Sequence, residues 1–312
     1  MPNMFLKYEV KGDDVSSHQS LIGYQKHVDA EPFDFVIVRI GDGIHVTRSV
    51  ASQRLDSRWK ANWQGFKGKT ARGSYYYFRG SEDPQDQADV VINALKHDHG
   101  EVAFFADLEY PYMQTPPPWY IMRPKFKEFV LSVDEGLKPF WKEKTGMYSS
   151  VRGWSLLGNK CDFDLTGRAL WVASWDTFYP TIPIEWQGRW DFWQFMVCRT
   201  NVRRKYAVSG SASLDLNVYR YSREAFRRRF RVSGSIVPPP PPPLKDPKFI
   251  KVKAWNVNVR DAPSTLTGKL LGVSRQNAIW PVMDLVNDLQ GREWVKVQEK
   301  VYIAGWLGEY IY

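Results

Sequence analysis

The stretch EVAFFADLEY, residues 101–110, runs through five apolar residues and then presents Asp107 and Glu109 one residue apart. The apolar run reads as a buried strand, and alternate side chains of a strand share a face. Asp107 and Glu109 therefore point the same way, about 6.5–7 Å apart, on the face that Phe105 occupies deeper down. Unpaired buried charge is too costly for a scaffold to carry idly. Two other strand-like runs carry an acid in a comparable place: KGDDVSS holds Asp14 and SLDLNVY holds Asp215. Clustered carboxylates raise one another's pKa, so at least one stays protonated near neutrality. A proton-donating acid beside an ionised carboxylate is the pair that cleavage of a glycosidic bond needs. Carboxylates also hold Mg²⁺ or Ca²⁺, but no HExxH and no EF-hand loop accompanies these.

Aromatic content supports a sugar substrate. The chain has 14 Trp and 16 Tyr, crowded at strand ends in SYYYF, MYSSVRGW, LWVASWD and RWDFWQF. Pyranose C–H faces stack on such rings, and Tyr and Trp join an apolar body to a polar tip. Many of these rings belong to the core. Tyr77, Tyr148, Trp175 and Trp193 are the groove candidates, with Tyr75 and Arg39 as further substrate contacts. The HDH triplet, His97–His99, sits at a helix end and reads as surface, and His18 as a helix-start residue. No GxSxG, P-loop or GxGxxG occurs, and no metal or cofactor is expected.

These residues need elements to position them. Eight strand-like runs precede residue 220: YEVKGDDVS, DFVIVRIGDG, ARGSYYYFRG, EVAFFADLEY, TGMYSS, RALWVASW, RWDFWQF and LDLNVY. Helical periodicity marks SVASQRLDSRWKANWQGFKG, DPQDQADVVINALKHDHG and RPKFKEFVLSVDEGLKPFWKEK. Alternating strands and helices with continuous apolar strands predict a parallel sheet covered on both faces. Eight strands predict an irregular (β/α)8-like barrel, its helices sparse in the second half. Carboxylates at the mouths of strands one, four and eight would then converge. Long loops, PYMQTPPPWYIM and VCRTNVRRKYAVSGSAS, would border that mouth.

Six consecutive prolines, Pro238–Pro243, punctuate the chain. Such a run forms an extended polyproline rod of roughly 19 Å. After it the text changes to short strands and Gly/Pro/Asn turns, the pattern of a small all-β barrel. The expected organisation is a barrel unit at 1–232, a linker at 233–248 and a small β unit at 249–312.

Net charge is +9, concentrated between Arg199 and Arg231, where ten Lys/Arg face Asp215 and Glu224. A basic surface attracts polyanions such as nucleic acid or an anionic cell wall; equally, REAFRRRFR is the solvated face of a helix. No nucleic-acid reading motif accompanies the cluster, so no nucleic-acid partner is expected. Cys161 and Cys198 lack CxxC spacing and read as free thiols. The first residues do not read as a secretory signal, and no apolar run is long enough to insert in a membrane. The expectation is a monomer made and folded in a cytosol, which something else must release if it acts outside.

DVSSHQ, FVIVRIGDG, GSYYYF, ADLE, YSSVRGW, LWVASW, WQF and DLN, in this order, resemble glycoside hydrolase family 25, the muramidases of phage endolysins and bacterial autolysins. The resemblance covers roughly residues 8–222. It implies cleavage of the β-1,4 bond after N-acetylmuramic acid in peptidoglycan. Glu109 is implied as proton donor, Asp107 as the group orienting the substrate's acetamide, and Asp14 and Asp215 as flanking acids. Tyr77 would face the reacting sugar, and retention through acetamido participation is the expected route. Asp13 departs from the pattern, which has an apolar residue there, and Ser20 replaces a common Gly. WNVNVRDAPS and GREWVKVQ…YIAGWLGEYIY resemble a bacterial SH3-like wall-binding domain over about residues 249–312, which implies binding to the peptide part of peptidoglycan. The alternative is a non-catalytic wall-binding protein on the same scaffold.

Overall fold

A computed structural model of the protein describes residues 4–21, 23–43, 55–110, 115–175, 177, 179–199, 206, 208–210, 213–232, 249–254, 256–265, 267–288, 292–298 and 300–311. The chain divides into two compact units, 3–238 and 239–312. The proline run and the rod expected from it lie outside the described residues, as do parts of both mouth loops.

Eight strands close the first unit into a barrel: β1 (Val10–Val15), β2 (Phe35–Asp42), β3 (Ala71–Tyr77), β4 (Phe104–Leu108), β5 (Gly146–Ser149), β6 (Leu170–Ala173), β7 (Phe192–Cys198) and β8 (Leu214–Tyr219). Seven fall within the runs read from the sequence, and β7 continues three residues past RWDFWQF to Cys198. Neighbours from β1 through β7 are parallel, but β8 is antiparallel to both β7 and β1. The expectation of a wholly parallel sheet is corrected here. β7 ends at Cys198 and β8 starts at Leu214, with no helix among the described residues long enough to return the chain to the barrel's far end. Without a helical crossover the next strand must run backwards.

Among the described residues six helices accompany the barrel: α1 (Tyr24–Ala30), α2 (Trp59–Phe66), α3 (Pro84–Leu95), α4 (Trp119–Leu137), α5 (Val151–Ser155) and α6 (Arg223–Phe230). α3 begins where its chemistry dictates: the Asp83 carboxylate accepts from the Asp86 amide at 2.9 Å, with Pro84 at the first helical position. Ser150 and Ser222 cap α5 and α6 in the same way. The second half is thin in helix, with α5 between β5 and β6 and a 3-10 turn, Ile184–Trp186, between β6 and β7.

Alternation sorts the strand residues into two cores. Val36, Ile40, Tyr76, Phe104, Ala106 and Leu108 face outward and pack with α3 and α4 through Val91, Phe126 and Phe129. Val10, Phe35, Ile37, Phe105, Trp171 and Phe192 fill the interior. On the inner face of β1, Gly12 leaves room for Phe35; a Cβ there would come within 2.5 Å of its ring. α6 follows the reversed β8 and plugs the floor with Phe226 and Phe230 against Phe192 and Tyr219. REAFRRRFR is therefore only partly a solvated face: Arg223 and Arg229 turn inward to ion pairs with Asp34 and Asp191.

The second unit is built of β-strands. A three-stranded sheet joins Ile279–Pro281, Phe249–Val252 and Gly308–Ile311, and a five-stranded one runs Leu270–Ser274, Val257–Arg260, Val301–Ala304, Glu293–Gln298 and Asp284–Asn287. Ile250, Val252, Val257, Val295, Val297 and Ile303 form its core. The buried Trp294 indole donates to Asp288 Oδ2 at 3.1 Å.

Candidate active site

The carboxylates converge at one end of the barrel. Asp107 ends β4 in register with Tyr77 on β3 and Tyr148 on β5. Glu109 follows two residues later, on the same side. Asp14 near the end of β1 lies directly opposite Asp215 on β8. Asp215 is the second residue of its strand, so in a parallel strand it would sit at the floor. Because β8 runs backwards, its beginning is at the mouth. The convergence expected from the sequence holds, for a reason the sequence reading lacked.

Asp14 is held by two amides. Gln194 Nε2 donates to Asp14 Oδ2 at 2.8 Å and Asn217 Nδ2 to the same oxygen at 2.7 Å. Both amides are oriented from behind. The Tyr148 hydroxyl and the Trp175 indole donate to Gln194 Oε1 at 2.8 and 3.0 Å, and the Trp171 indole donates to Asn217 Oδ1 at 2.8 Å. With each amide oxygen accepting, each NH₂ must turn to Asp14. A bulge at Phe195 makes this possible by bringing Gln194 opposite Asn217. Gln194, Asn217 and Trp171 were not singled out from the sequence as site residues, although WQF and DLN contain the first two.

None of the four acids makes an ion pair among the described residues, and Asp107 Oδ1 is buried without a hydrogen-bond partner. Burial, then the charge of Glu109, holds Asp107 well above the usual carboxylate range, with Arg39 opposing. Asp14 is also held well above it by burial and Asp215, against its two amide donors. Glu109 is pushed up to about 7, by burial first and then by Asp215, with Arg79 pulling the other way. Asp215 rises to about 6 through burial and the charge of Asp13, opposed by Arg199. Four acids in one low-dielectric space do not all ionise at neutral pH, and their protons belong to the cluster.

The nearby cations are already engaged. Arg79 makes a two-pronged pair with Asp42, at 2.7 and 2.9 Å, while its guanidinium lies 4.1 Å from the centre of the Tyr77 ring. Arg39 donates to Asp56 at 2.7 Å and to the Ser17 hydroxyl at 2.9 Å. Arg39, expected to contact substrate, is thus tied to the barrel wall, from which its charge reaches Asp107. Asp42 escaped the sequence reading because simple alternation puts it outside. An extra residue, Ile40, shifts the β2–β3 register and brings Asp42 level with Tyr77.

The aromatic candidates divide. The Tyr75, Tyr77 and Tyr148 hydroxyls are all raised by burial and then by the acids, which places them at the cluster. Trp175 is 47% exposed at the rim. Trp193 is a correction: it is fully buried in the outer core, its indole donating to the Ser174 carbonyl. Phe192 and Gln194 take the inward positions of that strand, so alternation turns Trp193 away from the acids. Among the described residues no group of three or more His, Cys, Asp or Glu is arranged to hold a metal ion, and no helix is long and apolar enough to cross a membrane.

The family model described as Glycosyl hydrolases family 25 matches residues 13–200, more than half the chain. Among solved structures, the bacterial lysozyme from Streptomyces coelicolor is 20% identical with a TM-score of 0.57, over 71% of this chain and 96% of that one. The muramidase from Trichobolus zukalii is 21% identical with a TM-score of 0.54, over 71% and 99%. A family 25 glycosyl hydrolase from Bacillus anthracis is 21% identical with a TM-score of 0.54, over 71% and 94%. At such identities the likeness is one of fold. No curated protein matches the chain.

Proposed function

The chain belongs to glycosyl hydrolase family 25, and from that premise we propose that it cleaves the β-1,4 bond after N-acetylmuramic acid in peptidoglycan. It is a glycoside hydrolase of the peptidoglycan-degrading kind. Glu109 is the proposed proton donor to the glycosidic oxygen. The observation that carries this is its place at the barrel mouth, half-buried beside the buried Asp107 and Asp14 and near Asp215, where desolvation and neighbouring charge push its pKa up to about 7. A general acid works best when its pKa lies near the working pH. Asp107, with a buried oxygen lacking a partner, is the proposed acceptor for the substrate's acetamide N–H. Held in that position, the acetamide carbonyl attacks the anomeric carbon as the leaving oxygen takes the Glu109 proton. Asp215, with Asp14 directly opposite it, supplies negative charge beside the cation-like transition state. Tyr77 and Tyr148 wall the reacting sugar, and Trp175 offers a stacking face at the rim.

The second unit is proposed as an SH3-like wall-binding domain for peptidoglycan peptides. What supports it is the WNVNVR and GREWVKVQ text together with its all-strand build. A second site on one chain raises the effective concentration of the enzyme at the wall. Its setting is proposed as a phage or prophage endolysin, acting as a monomer. Cytoplasmic expression in a target bacterium should then cause lysis only alongside a membrane-permeabilising protein.

Product chemistry tests the central reading. Purified peptidoglycan is digested, reduced with borohydride, and its new ends identified by mass spectrometry, with Glu109→Gln as control. Muramitol ends that vanish in the variant are expected. Glucosaminitol ends would mean that the other glycosidic bond is cut. No new ends from folded protein would leave only wall binding.

A further inference from the structure

Asp13 precedes Asp14 on β1, so its side chain leaves the barrel by the opposite face. It enters a closed space where both it and His27 of α1 are fully buried. His27 Nε2 lies 2.6 Å from Asp13 Oδ2, and His27 Nδ1 lies 2.7 Å from the Tyr206 carbonyl oxygen. A carbonyl only accepts, so Nδ1 carries a hydrogen. One further proton then sits between Nε2 and the carboxylate, and the pair has no net charge in either arrangement of it.

The surroundings favour the imidazolium form. Burial disfavours a charged ring, yet the charge and hydrogen bond of Asp13, with the Tyr206 carbonyl, raise the His27 pKa overall. The Phe33 and Phe66 rings pack against the imidazole and add no charge. Tyr206 belongs to the segment between β7 and β8. Shortly after it, Val208–Gly210 pairs with Gln19–Leu21, just beyond β1. Tyr206 is thus tied to Asp13 of β1 through His27, and Val208–Gly210 to residues just past the end of that strand.

We propose that Asp13 and His27 are positioning residues for the carboxylate site: their one-proton bridge to the Tyr206 carbonyl pins the segment entering β8 against the back of β1 and holds Asp215 opposite Asp14. The inference rests on the hydrolase reading above. A buried ion pair is seldom more stable than well-packed apolar residues of the same size. A fully buried acid and imidazole placed back to back with the carboxylate site therefore point to a function beyond stability. The bridge carries no net charge, but its carboxylate end is the part that acts on Asp215. Asp215 is faced by Asp14 from β1 and Glu109 from β4, with Asp13 behind and Arg199 opposing.

Two measurements test this. In protein labelled with ¹⁵N-histidine, both His27 nitrogens should carry hydrogens at a pH where an ordinary histidine is mostly neutral. A neutral ring that carries its one hydrogen on Nε2, leaving Nδ1 bare towards the Tyr206 carbonyl, overturns the bridge. The second measurement is the pH profile of peptidoglycan hydrolysis for the double variant Asp13→Val/His27→Phe and for Asp13→Asn. The double variant should fold, lose about tenfold in turnover through misplacement of Asp215, and shift its acid limb to lower pH. Asp13→Asn, which can still hydrogen-bond a neutral His27, should keep most turnover and show the same shift. An active wild type whose double variant keeps both turnover and profile overturns the bridge alone. An inactive wild type overturns the hydrolase reading, whatever the nitrogen spectrum shows.

Discussion

The two ends of the barrel bury the same residue type to opposite effect. At the floor, Asp34 is 0% exposed; at the mouth, Asp107 is 1% exposed. Asp34 receives two hydrogen bonds from the Arg223 guanidinium, at 2.8 and 3.0 Å, and one from the Lys11 amide. Asp191 is likewise held by Arg229 and the Leu170 amide. Asp107 has a buried oxygen with no hydrogen-bond partner among the described residues. Burial raises the pKa of all three, but at the floor an arginine pulls it back, while at the mouth other acids push it further. A paired buried acid has much of its desolvation cost offset by its arginine. An unpaired cluster has no such offset, and its proton-holding capacity is what the chemistry uses. Burial alone does not separate scaffold from site; the identity of the neighbours does.

The largest break in this symmetry should come from Glu109→Gln. Loss of the proposed general acid should cost about 10²–10⁴-fold in turnover, read from release of reducing ends, with no loss of thermal stability. At the floor, Arg223→Ala should leave Asp34 buried and unpaired and destabilise the unit by about 3–5 kcal/mol. Denaturant midpoints would show it, and activity per folded molecule should stay near the wild-type value.

Asp215→Asn tests the cost of the mouth. Asp215 binds its proton more tightly folded than unfolded, since its pKa rises to about 6. Its contribution to stability is therefore complete below about pH 4, the ordinary range of the free side chain, and is lost as pH rises through about 6. The amide variant should gain about 1–2 kcal/mol over wild type at pH 7.5 and nothing at pH 4. An equal gain at both would mean the effect is packing. Smallest should be Trp175→Ala, which removes an exposed ring. It should weaken substrate binding by about 0.5–1.5 kcal/mol, seen as a higher KM at unchanged melting temperature.

Much of this architecture was legible in the sequence. The eight strands follow from apolar runs, and α3 follows from Asp83–Pro84 ahead of a helical repeat. The Asp107–Glu109 pair follows from alternation alone. Other features were not legible for stated reasons. Trp193 and Gln194 are adjacent, and nothing local says which of them faces inward. Asp42 depends on a bulge, and bulges are set by pairing between strands.

The sequence by itself determined which residues could hold protons, that a strand brings two of them to one face, and that a proline run separates two kinds of text. These are properties of single segments, governed by side-chain chemistry and a two-residue period. Only the tertiary structure decided that β8 runs backwards and so carries Asp215 to the mouth beside Asp14. It alone gave Asp34 an arginine 189 residues away while leaving Asp107 without one. Strand direction and the pairing of distant charges depend on what the closed barrel brings together, and no stretch of chain contains that information locally.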